Sequence, residues 1–227
     1  MNTQPIEKRI TSDGLNLDVH DVFLTIQGEG PFSGERAVFV RLAGCNLQCP
    51  GCDTDYTTAR VQMLTGDVVL QVIDQAPDPI LVVITGGEPF RQNITPLVET
   101  LLTLGYRVQI ETNGSLSPSP NFPARAIIVC SPKTGSVDKV IADRADCFKY
   151  VLHSEGVHPE DGLPIRALDH SCKPYVYRTS RDVPVYLQPM DSVNLAQNAR
   201  NLQSTLESCM EYGYILQLQI HKIIGVE

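Results

Sequence analysis

No run in this sequence is long enough to cross a bilayer. The longest apolar stretches, such as residues 80 to 84, fall far short of the roughly 20 residues a spanning helix needs. The first residues, MNTQPIEKRITSDG, carry no apolar segment behind Lys8 and Arg9, so they do not read as a secretory signal. A basic run is missing too. The longest Lys/Arg cluster is a pair, the formal net charge is -8 and the pI is about 5.1. Nucleic acid and membrane are therefore poor partners, and a small-molecule substrate fits better. No internal repeat, low-complexity tract or linker divides the chain. Together these absences predict a cytoplasmic enzyme forming one domain over residues 1 to 227.

A disulfide framework is also missing. The chain has seven cysteines, an odd number, and a cytoplasmic protein has no use for such a framework. Cys130, Cys147, Cys172 and Cys209 are scattered, and read as buried or inert thiols. The other three crowd into GCNLQCPGC, residues 44 to 52, as Cys45, Cys49 and Cys52 with spacing C-x3-C-x2-C.

Hydrophobic residues make up 42% of the chain, enough for a real core. Six short apolar or β-branched runs, at 36–44, 79–87, 106–114, 125–133, 146–153 and 183–190, are each bounded by turn residues. Runs of this kind suit strands buried on both faces. Helical patterns lie between them, at 65–76, 95–105 and 194–213. In the second, Thr95 is the expected N-cap, Pro96 a first-turn proline and Gly105 the stop. The segment YILQLQIHK at the end predicts a last strand, with Gln219 and His221 on one face. The alternation predicts parallel strands with right-handed crossovers, closed or partly closed as a barrel. Polar motifs recur at the strands' C-terminal ends, where such folds place their active sites.

Three close thiols pose a question of valence. Structural zinc wants four ligands, commonly two C-x2-C pairs, and a second pair is absent. Of the five histidines, His20, His153, His158, His170 and His221, none lies near the triplet in sequence. Iron–sulfur clusters are also held by thiolates, normally four. A [4Fe-4S] cluster on three cysteines leaves one iron open to a ligand. Gly44, Pro50 and Gly51 give the loop the backbone freedom and stiffness to wrap such a group.

The triplet after a strand of a β/α chain, followed by ITGGEP at 84–89, resembles the radical S-adenosylmethionine (SAM) superfamily. IQGEG at 26–30, CDT at 52–54, ETNG, SPK, QPM and a late HK narrow the resemblance to the 7-carboxy-7-deazaguanine synthase family. That resemblance covers about 20–153 and 183–227. It implies an α/β fold, a partial (incomplete) β/α barrel with mostly parallel strands. It implies a lyase that converts 6-carboxy-5,6,7,8-tetrahydropterin to 7-carboxy-7-deazaguanine with loss of ammonia, in queuosine precursor synthesis. The implied cofactors are a [4Fe-4S] cluster, SAM used catalytically and Mg2+. A homodimer and an electron donor such as flavodoxin are the implied protein partners.

Carried onto this sequence, the resemblance gives the cluster to Cys45, Cys49 and Cys52 and Mg2+ to Thr54. Gly51, Asp53 and Gly87 would contact SAM beside the cluster. Ser131, Pro132 and Lys133 would face its nucleoside, and Gln188, Pro189, Met190 and Asp191 its adenine. Ile26, Gln27, Gly28 and Glu29 would meet the pterin edge. Arg41, a charge inside an apolar strand, needs a partner or ligand, and the substrate carboxylate is the natural one. Thr85, His221 and the terminal Glu227 complete the expected substrate contacts. Residues 1–16 and 154–182 match no motif of the family. They read as an N-terminal extension, serving an oligomer contact or disordered, and a long irregular insertion. Two alternatives stay open: a radical-SAM activating enzyme that makes a glycyl radical on a partner protein, and a non-enzymatic zinc module.

Overall fold

The computed structural model describes residues 2–170 and 175–226. In chain order, the strands are β1 (Asn16–Ile26), β2 (Arg36–Leu42), β3 (Val61–Leu64), β4 (Leu81–Gly86), β5 (Arg107–Thr112), β6 (Ile127–Cys130), β7 (Cys147–Leu152), β8 (Val185–Pro189) and β9 (Ile215–Leu216). The helices are α1 (Thr65–Gln75), α2 (Thr95–Thr103), α3 (Lys139–Arg144), α4 (Leu195–Tyr212) and α5 (Ile220–Ile224). Among the described residues the strands form one sheet in the order β3-β1-β2-β4-β5-β6-β7-β8-β9. From β2 to β9 all neighbours are parallel, and β1 and β3 add an antiparallel flank. The sheet does not close, since β3 and β9 remain its edges.

The two faces of this sheet have different chemistry, and strand alternation explains it. Val38, Val40 and Leu42 of β2, Val82 and Ile84 of β4, and Val108 and Ile110 of β5 are fully buried. They pack in one core with Val68 and Val72 of α1, Leu97, Val98 and Leu101 of α2 and Ile141 of α3. Each such side chain contributes about 1.5–3 kcal/mol of burial. Between these positions stand Phe39 and Arg41, Thr85, Glu111 and Lys149, and all of them line a cavity on the opposite face. Register places Arg41 beside Thr85. The helices thus cover one face, and the concave face holds polar groups.

Three local expectations are corrected. Thr95 lies inside α2; the N-cap is Ile94, because Asn93 Oδ1 already accepts from Thr95 N at 3.3 Å. The last strand stops at Leu216. Gln217 Nε2 donates to Gly28 O at 3.1 Å, Gly30 N donates to Gln217 Oε1 at 2.7 Å, and α5 begins three residues later. His221 is therefore helical, and does not share a strand face with Gln219. Residues 2–15 are also held against the cysteine loop, contrary to disorder. Glu7 N donates to Cys45 O at 2.7 Å, and Gln4 Nε2 to Thr54 O at 2.9 Å. Arg91, buried, ties this segment down through Glu7 at 3.2 Å and Asp18 at 3.4 Å. The sequence pattern also missed α3, β1 and β3.

Candidate active site

A cavity of about 650 Å³ opens where the parallel strands end. Cys45, Cys49 and Cys52 all reach its wall, on the loop that follows β2. Cys45 and Cys49 are buried, and all three are free thiols. Burial pushes the Cys45 thiol up to about 12 and raises that of Cys52 as well. Such thiols become thiolates only beside strong positive charge, which bound iron would supply. Leu47 N donates to Cys45 Sγ at 3.5 Å, a bond to sulfur of the kind that tunes a cluster. Among the described residues no three His, Cys, Asp or Glu side chains converge as a site for one ion. Three thiols on one cavity wall match the donor type that an iron–sulfur cluster takes.

The GGEP motif is sewn to this loop. Gly87 N donates to Leu42 O at 3.1 Å, and Glu88 N to Gly44 O at 3.0 Å. A β-carbon on Gly87 would lie 2.0 Å from Gly44 O, so no other residue fits there. Behind it, Glu88 is fully buried and accepts from Thr112 Oγ1 at 2.7 Å and Asn113 N at 2.8 Å. Burial pushes its carboxyl up to about 7. Glu88 thus locks the end of β4 to the ETNG turn after β5.

The expected cofactor contacts mostly share the cavity. Gly51, Asp53, Gly87, Ser131 and Lys133 line it, as do Gln188, Met190 and Asp191. Pro132 and Pro189 belong to the same motifs but are not on its wall. A β-carbon on Gly51 would stand 2.8 Å from Met190 Cε. Lys133 donates to Ser131 O at 3.0 Å; burial lowers its ammonium, while Cys49 works the other way. At the rim, Lys222 pairs with Asp191 at 3.1 Å and Asp53 at 3.4 Å. Thr54 lines the same wall, its hydroxyl 3.3 Å from Asp53 Oδ1.

The expected substrate contacts share the same cavity. Ile26, Gln27, Gly28 and Glu29 line the cavity with Arg41, Thr85 and His221. The Arg41 guanidinium lies 5.0 Å over the Phe23 ring. Burial works against the charge of Glu29, but Lys149 outweighs it and holds the carboxyl down at about 2. Gln219 Nε2 donates to Glu29 Oε1 at 2.7 Å. Burial lowers the imidazole of His221, and the neighbouring Glu29 opposes that shift. Glu227, with the stretch 171–174 that contains Cys172, lies outside the described residues.

The motif comparison overlooked several groups. Lys149 and Glu111 stand on this wall and pair at 2.8 Å. The signal for Lys149 was present in DCFKYVLH, a lone charge inside an apolar strand, as for Arg41. His20 sits where the β1–β2 register shifts between Val19 and Asp21, and bulges of this kind re-aim side chains. Both its ring nitrogens are buried without a hydrogen-bond partner among the described residues, beside the cavity. Leu168, in the irregular 154–182 segment, accepts from Gly51 N at 3.0 Å and closes the wall over the cysteine loop.

Residues 26–114 match the family model described as a 4Fe-4S single cluster domain. A 7-carboxy-7-deazaguanine synthase of Rhodospirillum rubrum is 43% identical over 222 residues, covering 94% of each chain. One from Rickettsia prowazekii is 36% identical, covering 98% of this chain and 94% of its own. Among solved structures, the crystal structure of QueE from Escherichia coli superposes with a TM-score of 0.68 at 26% identity. It covers 92% of this chain and 99% of its own.

Proposed function

The chain belongs to the 7-carboxy-7-deazaguanine synthase family of radical SAM enzymes, and on that footing we propose that it converts 6-carboxy-5,6,7,8-tetrahydropterin to 7-carboxy-7-deazaguanine with loss of ammonia. The observation that carries this reading is the meeting, in one cavity, of the three-cysteine loop with Arg41, Thr85 and the Gln27–Glu29 turn. A glycyl-radical activating enzyme has no need of Arg41 and Thr54 beside the cluster.

A cluster and SAM bound in this cavity would supply the radical chemistry that the reaction needs. Everything else falls to the chain. Cys45, Cys49 and Cys52 would hold the cluster, which would leave SAM a place beside it. Gly51, Asp53 and Gly87 border SAM near the cluster. The SPK turn, Ser131 to Lys133, flanks its nucleoside, and the segment Gln188 to Asp191 its adenine. Thr54 offers one hard oxygen to Mg2+, an ion that keeps most of its shell for water and substrate oxygens. Arg41 pairs with the substrate carboxylate. Glu29, with the amide of Gln27 and the backbone at Ile26 and Gly28, meets the donor–acceptor edge of the pterin ring. Thr85 and His221 complete the enclosure, with Glu227 as a further acceptor from the chain end. The reading also brings a homodimer, a flavodoxin-type electron donor, one domain over 1–227 and a cytoplasmic site of action.

The test is anaerobic reconstitution with iron and sulfide, followed by reaction with dithionite, SAM, Mg2+ and the carboxytetrahydropterin, leaving out one component at a time. A deazaguanine ultraviolet product that requires SAM and reductant supports the reading. An intact cluster that yields no such product overturns it.

A further inference from the structure

Lys149 is the most enclosed cation on the concave wall. It stands in the middle of β7, is 6% exposed, and faces the cavity. Its ammonium bonds Glu111 Oε2 at 2.8 Å and also Glu29 Oε2. Each carboxylate is then fixed by its second oxygen. Gln219 Nε2 donates to Glu29 Oε1 at 2.7 Å, and Gln109 Nε2 to Glu111 Oε1 at 2.7 Å. Gln27 Nε2 reaches the same Glu111 oxygen at 3.4 Å. The result is a carboxylate–ammonium–carboxylate row, closed by three amides. Its members come from the turn after β1, from β5, β7 and the segment before α5.

A buried ion pair of this kind is seldom the cheapest way to stabilise a fold. Its value here is chemical. Two carboxylates on one enclosed wall cannot both keep their charge without a cation between them; one takes a proton and turns from acceptor to donor. We propose that Lys149 is a positioning residue that keeps Glu29 and Glu111 together as two carboxylate acceptors on the wall, which select the N–H donors of a ring edge. A cyclic guanidine, as in an aminopyrimidinone, has that edge. This inference rests on the synthase reading and adds a residue to it.

The row's other titratable neighbours are His221 on α5, Lys133 after β6, and Cys147 on β7 itself. Burial lowers His221 while Glu29 opposes that shift, and burial pushes Cys147 up to about 12. Lys133 is common to wild type and variant and cancels in their ratio.

The experiment is calorimetric binding of 7-carboxy-7-deazaguanine to the SAM-loaded, unreduced holoenzyme. It is run from pH 7 to pH 9 in buffers of different ionisation enthalpy. Wild type is expected to bind with no net proton exchange at pH 7. Lys149→Met should bind about tenfold more weakly or worse at pH 7, release a proton on binding, and recover toward pH 9. Lys149→Arg should restore most of the affinity. A Lys149→Met loss that is uniform with pH and releases no proton overturns the proposal. So does wild-type binding that itself exchanges a proton, a result that stands even where the Met variant does not fold. Failure of wild type both to bind this compound and to form it overturns the synthase reading instead.

Discussion

Gly28 and His221 occupy each other's space: a β-carbon on Gly28 would lie 1.8 Å from His221 Nδ1 and 2.9 Å from its Cβ. The glycine of the IQGEG turn is therefore a seat for the imidazole at the start of α5. Ile220 N reinforces the contact by donating to Gly28 O at 3.3 Å. The turn after β1 and the start of α5 thus meet on the wall of one cavity.

Gly28→Ala should push His221 out of the cavity and raise the substrate KM about tenfold, with iron content unchanged. The cost should fall sharply on a His221→Gly background, since contacting residues are not additive. Steady-state kinetics on the double-mutant cycle measure this. Equal costs on both backgrounds would mean the turn matters for another reason.

Gly87→Ala tests the seam between GGEP and the cysteine loop. Its β-carbon would meet backbone, Gly44 O at 2.0 Å, which cannot rotate away. Overpacking of this kind costs about 1–3 kcal/mol. Iron per chain after reconstitution and the thermal midpoint should both fall. Full iron content with an unchanged midpoint would show that the loop yields easily.

Glu88 carries a pH signature. Burial raises its carboxyl to about 7 in the fold, against about 4.3 in an unfolded chain. The folded state then holds the proton more tightly, so this contribution is full below about pH 4 and is lost as pH rises toward 7. The effect is on the order of 3 kcal/mol. Glu88→Gln should flatten the stability profile between pH 5 and 7, as read by thermal melts. A parallel profile would exclude Glu88 as its source.

Thr54→Ala should weaken the dependence on Mg2+ and lower turnover while leaving the cluster intact. Mg2+ titrations of rate, alongside iron analysis, separate the two. Loss of iron would assign Thr54 to the loop's structure, consistent with the 3.7 Å contact from the Cys52 thiol to Thr54 O.

The sequence carried the parallel sheet because β4 and its neighbours are buried on both faces, and continuous apolar runs report that directly. It carried the three-cysteine loop on the cavity wall because that spacing lies in one short segment. It carried Arg41 because a charge breaks a run. It did not carry Lys149 and Glu111 as partners, because their meeting depends on register between β5, β6 and β7 and leaves no local mark. The same holds for Leu168, whose contact with Gly51 comes from an irregular segment lacking periodicity. At the chain's end, alternation in YILQLQIHK suggested a strand, but the side chain of Gln217 binds the β1 turn and draws the chain off the sheet.

The central claim is that this cavity couples its cluster to ring contraction of a carboxypterin. The most direct measurement is anaerobic turnover with SAM limiting, following 7-carboxy-7-deazaguanine and SAM together by chromatography. The account predicts many equivalents of product for each SAM, with SAM still present at the end. Reductive loss of SAM by a fully loaded cluster, with the pterin recovered unchanged, would contradict it.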